Sequence, residues 1–86
     1  MIFLAAMTLL AAAAGAVVTR PVANLHSRPS EDADVVSQAI LGSNVEVLEQ
    51  TGAWRRVRTA DRYSGWISSD ALRPLRKGEP AYASAG

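Results

Sequence analysis

The sequence predicts a small all-β domain, a barrel of five to six short strands preceded by an apolar segment. Three observations lead there. Segments rich in Val, Ile, Trp and Tyr recur through residues 17–75, each bounded by Gly, Pro, Asn, Asp or Ser. No stretch in that span sustains a helical apolar period beyond a single turn. The roughly 58 residues available are too few for a sandwich at about five to six residues per strand, which leaves a barrel.

Taken in order, residues 16–19 (AVVT) form a short first strand, limited by Pro21, and residues 22–25 (VANL) resume extended structure. His26 to Asp34 is a polar surface loop with no apolar periodicity. Val35 to Gln38 is a short strand, and Ala39 to Leu41 lead into a turn at Gly42, Ser43 and Asn44. Val45 to Glu49 alternates apolar and acidic residues, with Val45 and Val47 inward. After a turn over Gln50 to Ala53, the Trp-bearing segments GAWRRVR and YSGWIS flank the polar break Thr59–Arg62 and make the central hairpin. Trp54 and Val57 have opposite parity and cannot both face inward in a flat strand, so strong twist or a bulge is expected there. Trp66 is assigned to the core, and Gly65 beside it marks a close backbone approach or a kink. Ser69 to Leu72 make at most one helical turn, capped by Ser69 or Asp70. Arg73, Pro74 and Leu75 leave the domain, and residues 76–86 read as a linker-like tail.

Composition narrows the chemistry. The 86 residues hold no cysteine and one histidine, so thiol catalysis, disulfides and thiolate metal sites are excluded within them. Nine basic and eight acidic residues are intermixed for a net charge of +1, which gives no electrostatic case for nucleic acid. Every charged residue lies at Arg20 or later. Residues 1–16 read as a secretory signal peptide, with the small residues Ala14, Gly15 and Ala16 placing cleavage before Val17. The competing reading is an uncleaved membrane anchor, since Ile2 to Val18 reaches the short edge of the ~17 to 25 residues that span a bilayer. Both readings deliver residues 17–75 outside the cytoplasm.

Candidate binding residues cluster at the edges of the hairpin. Tyr63, next to Asp61 and Arg62, is placed to line a groove and to hydrogen-bond a peptide, with simple packing as the alternative. Trp54 is a core-edge residue or a ligand platform, on a strand otherwise rich in Arg. Arg56 and Arg58 share one face and Arg55 the other. They read as a solvated, edge-protecting surface paired with Glu46 and Glu49, or as a grip for peptide carboxylates, with Arg56 in that role. The set is therefore Tyr63, Trp54, Arg62, Asp61 and Arg56, in a shallow groove between the loop His26–Asp34 and the turn at Asp61 and Arg62. Glu31, Asp32 and Asp34 lack the spacing of a calcium loop and are suited to a cationic amine. His26 alone makes no metal site and reads as a surface side chain. No metal, cofactor or catalytic residue is expected.

NLHSRPS at Asn24–Ser30, VVSQAILGSNVEVLEQTGAWRRVR at Val35–Arg58 and YSGWISSDAL at Tyr63–Leu72 together resemble the bacterial SH3 (SH3b) family over about 50 residues. The resemblance implies an SH3-like barrel that recognises cell-wall peptide or docks on a cell-wall hydrolase domain. More narrowly, AVVTRPVANLHSRPS and TADRYSGWIS are similar to the amino-terminal SH3b domain of NlpC/P60-type endopeptidases, in which a papain-like domain cleaves peptidoglycan stem peptides at a γ-D-glutamyl bond. That domain's Cys and His are missing here, so the resemblance implies either a non-catalytic exported module or the amino-terminal fragment of such a peptidase. His26 stands where Arg is common in the motif, and Arg28 where Gly is common.

Overall fold

A computed structural model describes residues 14–79. The proposed signal segment up to Ala13 and the tail from Pro80 lie outside the described residues. Seven antiparallel strands form one sheet: β1 (Ala14–Val18), β2 (Val22–His26), β3 (Val35–Ile40), β4 (Asn44–Thr51), β5 (Trp54–Arg58), β6 (Ser64–Ser68) and β7 (Leu72–Pro74). Their order across the sheet is β3-β2-β6-β5-β4-β1-β7. Connectivity forces this sheet to curl. Strands β1 and β2 stand four steps apart in it, about 19 Å if flat, more than the roughly 14 Å that Thr19, Arg20 and Pro21 can bridge. The expected barrel is the result.

The core is aliphatic. Leu25, Ile67, Val18, Val45 and Val57 are fully buried, and Ala16, Ala23, Ala39 and Ala71 complete the cluster. Burying each larger side chain stabilises the fold by about 1.5–3 kcal/mol. As expected, Val45 faces inward and Val47 packs against the cluster. Trp66, by contrast, is not a core residue. It alternates with the buried Gly65 and Ile67, so it lies half-buried on the outer face, opposite Arg56 on one side and His26 on the other.

Gly65 is a site of close approach. A Cβ there would stand 2.9 Å from Leu25 Cβ and 3.1 Å from the His26 carbonyl oxygen. Only a residue without a side chain lets β6 seat against β2. The turn between β4 and β5 is tighter than expected, with Gln50 and Thr51 still in the strand and only Gly52 and Ala53 looping. Gly52, at φ 55°, occupies the first central position, where a two-residue hairpin turn calls for glycine.

Three further details depart from the sequence reading. The bulge is in β4, not at Trp54: the register shifts between Val47 and Glu49, leaving Leu48 as the extra residue. Arg73 and Pro74 do not leave the domain, and Leu72, expected to end the helical turn, is extended with them. Leu72, Arg73 and Pro74 pair with Val18, Val17 and Ala16 as β7. The single 3₁₀ turn Ser69–Ala71 is capped one residue early, by Ser68, whose hydroxyl accepts from the Asp70 N–H at 3.3 Å. Beyond β7 the chain turns back, and Glu79 takes the Arg73 guanidinium in two bonds of 2.9 Å. The hydrogen bond from Arg73, together with one from the Arg76 N–H, holds the Glu79 carboxyl down to about 2 from an ordinary 4.5.

Candidate functional site

The loop His26–Asp34 was expected to be a surface excursion beginning with an exposed histidine. It folds back instead. The Ser27 N–H donates to the Asp34 carbonyl at 2.8 Å, Ala33 is buried, and the His26 ring is only 8% exposed beneath them. His26 Nδ1 lies 3.0 Å from the Ala33 carbonyl oxygen. A carbonyl only accepts, so Nδ1 carries a proton and donates it to Ala33. Among the described residues no buried side-chain nitrogen or oxygen lacks a partner.

His26 borders a concavity of about 130 Å³. Trp54 forms one wall, its ring meeting His26 edge to face at a centroid distance of 5.5 Å and an interplanar angle of 86°. Asn24 and Ser68 add polar groups, while Arg20 and Glu31 supply a cation and an anion. Arg20 stands 3.6 Å from Asp70, an exposed pair that contributes little. Glu31 makes no ion pair among the described residues. The volume suits one residue-sized group, and the lining can meet both signs of charge on it.

The sequence-derived set divides between two places. Trp54 sits in the pocket. Tyr63, Asp61 and Arg62 lie at the other end of the hairpin, about 16 Å away along a five-residue strand. There Tyr63 is 56% exposed, and the turn is held by the Thr59 hydroxyl, which donates to Asp61 Oδ1 at 2.6 Å and accepts from the Tyr63 N–H at 3.2 Å. Arg62 takes φ 73°, a left-handed conformation unusual for a residue with a side chain. Arg56 belongs to neither place, because its Nε donates to Glu49 Oε1 at 2.6 Å across the sheet. Arg58 engages Glu46 in the same manner. Since β5 lies inside the sheet, these pairs do not protect an edge.

Sequence reasoning missed Arg20, Asn24 and Ser68, and it put His26 in solvent. The one available signal was Ala33, a small apolar residue in an otherwise polar loop, which marks the point where the loop touches the barrel. Among the described residues no group of His, Cys, Asp and Glu side chains is arranged to hold a metal ion.

A family model described as the bacterial dipeptidyl-peptidase SH3 domain matches residues 25–72. No curated protein matches the chain. The match runs from β2 to the first residue of β7 and takes in more than half of the sequence, so the chain belongs to the bacterial dipeptidyl-peptidase SH3 domain family.

Proposed function

We propose that this SH3 domain is a non-catalytic module that binds one end group of a cell-wall peptide in the pocket between His26 and Trp54. The observation that carries the reading is the pocket itself. An aromatic wall, an imidazole held in place by the Ala33 carbonyl, a free carboxylate at Glu31 and a guanidinium at Arg20 converge on space for a single residue. Peptidoglycan stem peptides offer matching chemistry, with amino groups for Glu31 and carboxylates for Arg20. Tyr63, Asp61 and Arg62 serve as a second, outlying contact for a longer peptide. The reading places the domain outside the cytoplasm, which the uncharged first 19 residues support. Because β1 begins at Ala14, an export signal compatible with an intact β1 is either cut ahead of that residue or retained.

The test is retention of the protein on isolated peptidoglycan sacculi. Retention that falls several-fold in Trp54→Ala and Glu31→Gln, with less effect from Tyr63→Ala, supports the pocket. Retention no better than that of serum albumin ends the wall-binding reading.

A second reading has its own observation. Val22 and Ile40 are cross-strand partners, Leu41 follows, and the three are exposed at 52%, 60% and 61%. Such an apolar strip suits docking against a hydrolase domain, and the family description, which names a peptidase, agrees with that use. A papain-like domain of the NlpC/P60 type is the partner we propose for it. Co-purification with such a domain, lost in Ile40→Lys, checks this reading; unchanged co-purification in that variant removes it.

A further inference from the structure

The three arginines of β5 have different fates. Arg56 and Arg58 lie on the outer face with Glu49 and Glu46 against them. Arg55 shares the opposite face with its cross-strand partner Ile67, and its Nε donates to Gln50 Oε1 at 3.2 Å. Gln50 is neutral, so no carboxylate offsets this guanidinium. Among the described residues Arg55 is the one half-buried cation without an acidic partner. Arg28, Arg62, Arg76 and Lys77 are exposed, while Arg20, Arg56, Arg58 and Arg73 are paired.

Arg55 borders a groove of about 420 Å³ that shares no residue with the His26–Trp54 pocket. This volume falls within the about 300–1,000 Å³ range of small-molecule sites. The walls are small and aliphatic, from Ala14, Gly15, Ala16, Val47 and Leu72, and Ser69 adds a hydroxyl. Arg73 also lines the groove, but Glu79 already occupies its guanidinium. A single unbalanced cation in a groove walled largely by small aliphatic residues suits an anion with an aliphatic body, and a guanidinium fork fits a carboxylate.

We propose that this groove is a second binding site, for the carboxyl-terminal end of a peptide of small residues, with Arg55 holding the carboxylate. The aliphatic walls take the final side chains, and the hydrogen bond to Gln50 holds the guanidinium beside the groove. The site is independent of the His26–Trp54 reading.

The test is a titration of the ¹⁵N-labelled chain, followed by amide shifts, with acetyl-alanyl-alanine, its carboxamide and butyrate. Acetyl-alanyl-alanine is expected to shift Gly15, Val47, Ser69 and Leu72 saturably, with the carboxamide weaker by at least about ten-fold, the loss expected when a charged hydrogen bond is removed. Arg55→Gln is expected to lose the same factor. Arg55→Lys, which keeps the charge, is expected to retain the preference for carboxylate over carboxamide even if Arg55→Gln proves too unstable to titrate. Tighter binding of the peptide than of butyrate assigns the groove to peptide ends, and the reverse order overturns that assignment. Equal shifts with the carboxamide, or shifts confined to His26 and Trp54, overturn the site.

Discussion

The two ends of the β5–β6 hairpin begin from similar sequence, an aromatic residue beside polar neighbours, and become different surfaces. At the Trp54 end, the loop after β2 folds back, buries Ala33 and His26, and leaves a walled pocket with fixed hydrogen-bonding groups. At the Tyr63 end, a turn closes on itself through Thr59, and its aromatic ring projects into solvent. An aromatic side chain becomes a site wall only where a second element immobilises it. Preorganisation of this kind, more than residue type, sets the cost of binding.

The largest blow to this contrast is Leu25→Ala. It opens the core that both ends share, so a loss of about 2–5 kcal/mol is expected, and urea unfolding should show both ends failing together. Gly65→Ala is expected to cost about 1–3 kcal/mol, since the new methyl meets Leu25 and the His26 carbonyl. Because that contact meets His26, amide shifts should be larger around His26 than around Tyr63; the opposite pattern would show the strain to be taken up at the Tyr63 turn instead. His26→Phe keeps a ring against Trp54 but orphans the Ala33 carbonyl, at a cost of about 1–2 kcal/mol. Hydrogen exchange should quicken at Ser27 and Ala33 and stay unchanged at Thr59 to Tyr63.

At the other end the expected effects are small. Arg62→Gly relieves a left-handed backbone and should raise the thermal midpoint by the equivalent of about 0.5 kcal/mol, while Tyr63→Ala should stay within about 0.5 kcal/mol of the parent. The last prediction is a control outside the hairpin. Glu79 is held to about 2, below its unfolded 4.5, so its contribution is complete above pH 4.5 and lost as pH falls toward 2. Thermal unfolding across that window should show a shallow decline that Glu79→Gln removes.

Much of the fold was legible because a strand's alternation is a local property. Val45 and Val47 read as inward from their own segment, and Gly65 read as a close approach or a kink because it is a glycine inside a strand. Size misplaced Trp66: its bulk argued for the core, but by alternation the neighbouring Ile67 had already taken the inward position. β7 was hidden because Leu72 to Pro74 is a strand only by virtue of β1 beside it. The pocket was the least legible part. It depends on Arg20, Asn24, Glu31 and Ser68 meeting around one ring, and no spacing in the sequence records that meeting.

The bulge at Leu48 has a consequence for how this barrel tolerates insertion and deletion. Every rung from Glu46↔Arg58 to Thr51↔Trp54 is made by residues other than Leu48. Deleting it would leave each of those partners opposite its present one while straightening the strand that bends there. A chain shortened by that residue thus separates two specifications that usually travel together: which residues meet across the ladder, and how sharply the ladder turns to close.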